Sequence, residues 1–239
     1  MKSLFKRFIP NRLLGPIRRI RKEFFDGYCL KSYSQEGEDM ILHRIFADKA
    51  RGFYVDVGAH HPKRFSNTYY FSKQGWRGIN IDATPGSMRA FNKSRPADTN
   101  IEAPVSRKKQ TLTFYMFDEP ALNGFSKQLS EQRSTNGRAY KIIQTIDLET
   151  VTLSEILAEH LPKGQLIDFM SIDVEGLDHD VLLSNDWNRF RPKIILVEIL
   201  NRSLEDLFNH EITKLLNSEG YVITSKTMNT VFFTLEDSR

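Results

Sequence analysis

The sequence lacks several features that would place it in particular classes of protein. Its 239 residues include one cysteine, Cys29, so no intramolecular disulfide can form and a reducing compartment is expected. No apolar run approaches the roughly 18 residues that a membrane-spanning helix needs. The basic N-terminus opens into no continuous apolar stretch with a cleavage site, so we expect no signal peptide. These absences predict a cytoplasmic protein.

The overall composition is that of a globular domain. Hydrophobic residues make up 40% of the chain and charged residues 27%, with no low-complexity linker or internal repeat. A chain of this length buries about 70% of the surface that it exposes when unfolded, so its core needs neither a metal nor a disulfide. One large domain over residues 31–239 is therefore expected, preceded by a basic amphipathic arm over residues 1–30.

The charge of the chain is unevenly distributed. Residues 1–22 carry eight basic side chains and no acid, so the total of +4 leaves residues 23–239 at −4. Apolar residues recur in the arm at steps of three and four, although Pro10 and Pro16 divide it into short helical pieces. Two interpretations carry equal weight. The arm lies on an anionic membrane surface, where each basic residue adds about 1 kcal/mol, or it packs on the domain with a solvated basic face. Nucleic acid is not expected, because the basic residues are confined to the arm.

Beyond residue 31, β-rich apolar runs alternate with helical patterns. This alternation predicts a mostly parallel sheet with helices on both faces, closed by two strands too near each other for a helical crossover and hence antiparallel. In detail, the sequence predicts Ser34 as a helix N-cap, a helix opened by Thr84, and one continuous helix over residues 203–220. The polar segment 118–138 has no clear period and is expected to be a loop or lid that recognises the acceptor.

Acidic residues recur where the predicted strands end. A single acid at such a place is usually a cap or a turn former. Several acids on one rim raise one another's pKa, and a cationic or hydroxyl-rich ligand would account for them. The acids concerned are Asp56, Asp82, Asp173, Glu175 and Glu198.

The turn after the first strand favours one cofactor over another. A dinucleotide pyrophosphate needs a glycine-rich turn with free N–H groups, whereas residues 56–62 contain one glycine and a proline. S-adenosylmethionine instead carries an ammonium, a sulfonium and a ribose diol. Asp56 near its amino acid end, Gly58 for close backbone approach and Asp82 for the ribose hydroxyls suit this molecule.

The motifs that follow one another along residues 33–200 resemble the FkbM family of S-adenosylmethionine-dependent methyltransferases. They are YSQEGEDMIL, GFYVDVGAHHP, SNTYYF, GWRGINIDATP, APVS, FMSIDVEG and PKIILVEI. The resemblance implies a class I methyltransferase (Rossmann-like) α/β fold, with a seven-stranded sheet whose final strand inserts antiparallel. It also implies O-methylation, typically of saccharides or other natural products. One departure is Pro62, where members often have glycine.

The resemblance and the strand ends together give the predicted site. In the family's motifs, Asp173 and Glu175 fall in D-x-E-G, and four residues from Ser34 to Asp39 fall in S-Q-x-x-E-D. The predicted cofactor-binding residues are Ser34, Gln35, Glu38, Asp39, Asp56, Gly58, His60, Asp82 and Ser106.

A hydroxyl acceptor must lose a proton, so a positioned base is expected. The candidates are Asp173, Glu175 and His179, with the two carboxylates favoured for the base or for acceptor binding. Asp173 and Glu175 point the same way if the strand persists, whereas Glu175 and His179 share a face if the helix has begun. Asp173, Glu175 and a histidine could instead hold Mg²⁺, but no dense ligand motif is present, so no required metal is predicted.

The expected acceptor is a sugar, a nucleotide-sugar or a lipid-linked glycan. The expected function is therefore methyl transfer to a saccharide hydroxyl, in the cytoplasm and in one interpretation at the inner face of a membrane. Two alternatives stay open: a cofactor-binding module without turnover, and a methyltransferase for a hydroxyl of another natural product.

Overall fold

The computed structural model describes residues 15–16, 19–20, 23–25, 27–135, 140–200 and 202–236. The chain divides into two compact units, Met1–Ser32 and Tyr33–Arg239. Most of the arm predicted to be amphipathic, including residues 1–14, lies outside the described residues. Within the described ranges, no helix is long and apolar enough to cross a membrane.

The second unit alternates strands and helices as the sequence predicts. The strands are β1 (Phe53–Val57), β2 (Arg77–Asp82), β3 (Thr99–Glu102), β4 (Thr111–Phe117), β5 (Ile142–Glu149), β6 (Phe169–Ile172), β7 (Ile194–Glu198), β8 (Tyr221–Lys226) and β9 (Thr230–Leu235). The helices are α1 (Glu38–Ile45), α2 (Tyr69–Lys73), α3 (Met88–Ser94), α4 (Lys127–Thr135), α5 (Leu153–His160), α6 (Asp178–Leu183), α7 (Leu204–Leu207) and α8 (Glu211–Ser218).

Seven strands form the main sheet in the order β3-β2-β1-β6-β7-β9-β8. Strands β1, β2, β3, β6 and β7 pair in parallel, whereas β9 runs antiparallel to both of its neighbours. This arrangement confirms the predicted class I methyltransferase fold, including the antiparallel final strand. Strands β4 and β5 form a separate two-stranded antiparallel sheet.

Helices cover both faces of the main sheet, as predicted. Side chains alternate along a strand, so Val55 and Val57 join one apolar cluster and Tyr54 joins another. The first cluster includes residues from α5, α6 and α8, and the second includes Leu42 of α1 and the nearby Trp76. The strands are buried on both faces because each face has its own helices.

Two predicted helix starts are wrong by a few residues. α1 begins at Glu38 after Gly37, which has a φ of 91° as the N-cap, so Ser34 does not cap it. α3 begins at Met88 after Ser87, and the segment from Thr84 is a turn. In both cases a turn intervenes between the predicted cap and the first helical residue.

Two other predicted segments also differ from the structure. The expected loop 118–138 contains a 3₁₀ helix (Pro120–Leu122) and the nine-residue α4, while residues 136–138 lie outside the described ranges. The expected single helix over 203–220 is two helices, because the His210 side chain accepts from the Ile212 N–H and starts α8 anew. The spacing of apolar residues predicts neither the helices within 118–138 nor the interruption at His210.

Candidate active site

A cavity of about 430 Å³ lies at the carboxyl ends of the parallel strands, where the sequence predicts the ligand. Gly58 after β1, Asp82 at the end of β2, Asp173 after β6 and Glu198 at the end of β7 all line it. The segment between β4 and β5, which includes Arg133 of α4, lines another side. Four strand ends and one insertion therefore contribute to the site, together with the segment before α1.

Gly58 brings the ends of β1 and β6 together. Its φ is +82°, and a Cβ at this position would lie 1.7 Å from the backbone oxygen of Asp173. Its own N–H donates to the Ile81 carbonyl at 2.9 Å. Only glycine fits here, because both the φ and the neighbouring backbone exclude a side chain.

Backbone N–H groups hold the Asp82 carboxylate in place. One oxygen accepts from the His60 N–H and the other from the Thr84 N–H, each at 2.8 Å. Each carboxylate oxygen has a second lone-pair site, so Asp82 can still accept from a ligand hydroxyl. Burial lowers the pKa of His60, and its buried Nε2 has no partner among the described residues. His60 thus lines the cavity with a ring whose pKa is lowered and whose buried Nε2 has no described partner.

Three carboxylates gather in the same cavity at the ends of β6 and β7. One oxygen each from Asp173, Glu175 and Glu198 lies within 4.8 Å of the other two. Glu175 pairs with the Arg133 guanidinium. Asp173 and Glu198 accept no side-chain hydrogen bond from any described donor. Among the described residues, the ion pair with Arg133 is the one that reaches this cluster, so three carboxyl groups share one guanidinium.

The crowding of these groups changes their pKa values. Burial, together with the charges of Glu175 and Asp178, raises the pKa of Glu198 to about 8. The Asp173 side chain is exposed and faces the cavity. Partial loss of hydration against the surrounding protein, and then the charges of Glu198 and Glu175, raise its pKa well above the usual range. Burial raises the pKa of Glu175, while Arg133 opposes that rise. Glu198 is thus able to bind a proton near neutral pH, and Asp173 holds its proton to a higher pH than an ordinary aspartate does.

The position of Glu175 follows from the turn between β6 and α6. Asp178 accepts from the N–H groups of Val174 and Gly176, at 3.1 and 3.2 Å, and so holds the turn. Glu175 adopts a φ of 55° within it. The strand has ended and the helix has not begun, so Glu175 and His179 do not share a helix face. Glu175 still meets Asp173 in the cavity, but the turn brings the two carboxylates together, not a continued strand.

The S-Q-x-x-E-D segment contributes to the site in part. Gln35 and Glu38 line the cavity, as does Glu36 between them. Glu36 accepts from the backbone and side-chain N–H groups of Asn229, both at 2.8 Å, and this fixes the segment to the β8–β9 turn. Glu38 accepts from the Thr230 hydroxyl at 3.1 Å.

Five predicted site residues do not line the cavity. The Ser34 hydroxyl donates to the buried Asp39 at 2.9 Å, so these two stabilise the segment before α1. Asp56 is buried and accepts from the Thr68 hydroxyl at 2.6 Å. The strand-end acids therefore converge on one cavity only in part, since Asp56 points into the protein.

The two remaining residues have other neighbours. Ser106 is buried and accepts from Gln110 at 3.3 Å. His179 lies 3.6 Å from Glu211. The predicted roles of these five residues stay predictions. The structure brings together Gln35, Glu38, Gly58, His60, Asp82, Asp173 and Glu175.

Sequence analysis missed other lining residues. Glu198 is recognised as a strand-end acid but is not assigned to the site, and its place next to Asp173 follows from the adjacency of β6 and β7. Nothing in the sequence marks Arg133 as a site residue, because α4 lacks the apolar stripe that would predict a helix there. Arg64 and Glu119 form a bidentate pair at 2.9 and 3.0 Å, joining residues that are 55 positions apart.

The structure changes the set of residues that could bind a metal ion. Glu198, and no histidine, completes the carboxylate cluster with Asp173 and Glu175. Hard oxygen ligands of this kind suit Mg²⁺. That no metal is required stays a prediction.

Residues 56–223 match the Methyltransferase FkbM domain, and the chain belongs to this family. It is an S-adenosylmethionine-dependent methyltransferase, a transferase. A comparison with curated proteins gave no significant match.

Several solved methyltransferase structures are similar to the chain. A TehB-like S-adenosylmethionine-dependent methyltransferase from Corynebacterium glutamicum is 10% identical, with 94% of this chain and 100% of that one covered, at a TM-score of 0.39. Precorrin-6y C5,15-methyltransferase from Geobacter metallireducens is 12% identical, with 85% and 89% covered, also at 0.39. The 1,6-didemethyltoxoflavin-N1-methyltransferase of Burkholderia thailandensis, solved with S-adenosylhomocysteine, is 12% identical, with 95% and 89% covered, at 0.39. At these TM-scores the likeness carries no information about the acceptor.

The cavity fits the cofactor of this family. Gly58 leaves room for close backbone approach, and Asp82 offers a fixed carboxylate at the next strand end. The three clustered carboxyl groups, which share one arginine, suit a ligand that carries positive charge or hydroxyl groups. Gly58, His60 and Asp82 would therefore hold S-adenosylmethionine.

Proposed function

We propose that this enzyme transfers a methyl group to a hydroxyl of a saccharide or glycan precursor, such as a nucleotide-linked or lipid-linked sugar. The observation that carries the proposal is the pair of cavity carboxylates, Asp173 and Glu198, that accept no hydrogen bond from a described donor. A hydroxyl acceptor needs such a base, because its proton must leave as the C–O bond forms.

When bound, S-adenosylmethionine supplies an activated methyl group, and the electrons of its C–S bond remain on sulfur. The Asp173–Glu198 pair accepts the hydroxyl proton at a carboxylate oxygen. Its raised pKa suits this role, since a base is most effective when its pKa lies near the working pH. Glu175, held by Arg133, helps to orient the acceptor. Alignment of acceptor and donor can contribute on the order of 7–11 kcal/mol to such a displacement.

The rest of the cavity wall supports a hydroxyl-rich acceptor. Its side chains carry many amide and hydroxyl groups, which can donate to and accept from sugar hydroxyls. Phe65 is partly exposed at the same wall and offers an aromatic face to a sugar ring. The polar residues of this wall include Asn67, Thr84, Asn123, Tyr140, Asn229 and Thr230.

The test is a screen of nucleotide-linked and lipid-linked sugars with labelled methyl donor, with the product mapped by mass spectrometry. We expect an O-methylated sugar. Asp173→Asn and Glu198→Gln should each lower kcat by about 10²-fold or more, with the donor Kd from calorimetry unchanged. Glu102→Gln, an exposed strand-end acid outside the cavity wall, is the matched control and should retain full activity.

Other outcomes would contradict the proposal. Methylation of an amine, or of a hydroxyl in a compound unrelated to sugars, would show that the acceptor is not a saccharide hydroxyl. Full turnover by both carboxylate variants would remove the proposed base. Donor binding without transfer to any pool would favour the cofactor-binding module.

A further inference from the structure

The first unit of the chain, Met1–Ser32, combines positive charge with exposed apolar side chains. Residues 1–22 carry eight Lys and Arg side chains and no acid, while residues 23–239 sum to −4. Among the described residues of this unit, Phe24 is 75% and Phe25 is 73% exposed. Ile20 and Leu30 are also exposed, at 52% and 66%.

From this combination we infer that residues 1–30 bind the surface of an anionic membrane. Basic side chains are attracted to anionic lipid headgroups, and neighbouring aromatic side chains enter the boundary between headgroups and acyl chains. Binding to such a surface strengthens both with the apolar area that it buries and with the attraction to anionic lipids. Arg19 pairs with Glu23 at 3.0 Å, but this exposed pair offsets only one of the eight positive charges.

Charge also decides between a membrane and a nucleic acid. A nucleic acid would contact a basic surface that continues from the arm onto the folded unit. The folded unit has a negative net charge, which would repel phosphate groups. A membrane needs only the arm to be basic, and it uses the exposed phenylalanines as well.

Co-sedimentation of the full chain with lipid vesicles tests this inference. We expect binding to phosphatidylcholine vesicles that contain phosphatidylglycerol, weak binding to pure phosphatidylcholine, and loss of binding at high salt. Neutralising Arg18, Arg21 and Lys22 to Gln should weaken binding at least tenfold. The matched control neutralises three exposed basic residues of the folded unit, Arg107, Lys108 and Lys109, and should leave binding unchanged.

The apolar contribution has its own pair of variants. Phe24→Ser with Phe25→Ser should weaken vesicle binding by about tenfold or more. Phe208→Ser with Met228→Ser, at positions 67% and 77% exposed in the folded unit, is the control. Equal binding to both vesicle types, unchanged binding of either arm variant, or tighter retention on nucleic acid than on anionic vesicles would overturn the inference. All of these variants should bind S-adenosylmethionine with unchanged affinity. Vesicle binding is measured without an acceptor, so the membrane test is independent of the proposed acceptor.

Discussion

Gly58 sets the distance between the ends of β1 and β6. Gly58→Ala should place a methyl group against the Asp173 carbonyl, 1.7 Å from the present oxygen position, in a backbone conformation that alanine disfavours. We expect a loss of about 3 kcal/mol in the free energy of unfolding and a severe loss of donor binding. Urea unfolding and calorimetric titration with S-adenosylmethionine measure the two effects.

Gly75→Ala is the matched control for this change. Gly75 has a similar φ of +92°, but a Cβ there would meet no atom within 4 Å. The control should cost only the backbone strain, about 1–2 kcal/mol, and should bind donor normally. Equal effects of the two substitutions would show that the contact with Asp173 is unimportant.

Glu198 should make stability depend on pH. Its pKa is raised from 4.5 to about 8, so the folded protein binds a proton that the unfolded chain has already released. The free energy of unfolding should therefore fall as pH rises through this window, by at most about 5 kcal/mol. Glu198→Gln should make this slope shallower, as measured by urea unfolding at several pH values. Glu205→Gln, exposed on α7, is the control, and an identical change in both variants would contradict the explanation.

At the scale of elements, the insertion between β4 and β5 is held over the cavity by side-chain contacts. Arg64 pairs with Glu119 and Arg133 pairs with Glu175, so the insertion is tied to the loops after β1 and β6. Asn123 donates to the Thr84 hydroxyl at 3.3 Å and adds a tie to the loop after β2. These contacts fix how the insertion covers the site.

Reversing one of these charge pairs tests that description. Arg64→Glu should loosen the insertion by about 0.5–1 kcal/mol, because the pair is partly exposed, and adding Glu119→Arg should restore it. Hydrogen exchange of the backbone amides in residues 118–135 is the measurement. Reversing the exposed pair of Lys127 and Glu131, which lie on the same helix at 3.8 Å, should leave exchange elsewhere in the insertion unchanged. If the double variant does not recover the slow hydrogen exchange of the original protein, the pair of Arg64 and Glu119 does not hold the insertion.

The insertion is also the part of the site that the sequence predicts least well. Strands β1, β2, β6 and β7 are predictable because each is a short run rich in β-branched and other apolar residues, with its acids near the carboxyl end. Their order in the sheet follows from the family resemblance. α4 is not predictable, because its sequence KQLSEQRST has no apolar face, and its place depends on the pairing of Arg133 with Glu175. Asp56 fits the motif of a cofactor ligand, but whether its carboxylate faces the cavity or Thr68 depends on packing behind the strand.

At the scale of the whole molecule, one buried arginine connects β1 with the segments around α2 and α3. The Arg95 side chain has no exposed surface. It donates to Asp98 at 2.8 Å, to the Thr68 hydroxyl at 3.0 Å and to the Tyr54 hydroxyl at 2.6 Å. Thr68 in turn donates to Asp56, whose pKa is raised by burial. Arg95 is thus the common partner of a polar network beneath the site.

Arg95→Met should cost about 3–5 kcal/mol in the free energy of unfolding, because it leaves the Asp98 carboxylate buried without its partner. Thermal or urea unfolding measures the loss. Arg189→Met, which removes an exposed arginine 4.0 Å from Asp186, is the control and should cost less than about 0.5 kcal/mol. A similar cost for both variants would mean that the network adds nothing to stability.

Strands β4 and β5 form a sheet of their own, separate from the sheet that carries Gly58 and Asp82. The segment that they enclose is therefore a cassette, anchored at its base and attached above the cavity by a few replaceable ion pairs. If this segment recognises the acceptor, as the proposed function expects, exchanging it between members of the family, with the matching partners of Arg64 and Glu175, should change the acceptor and leave donor binding unchanged.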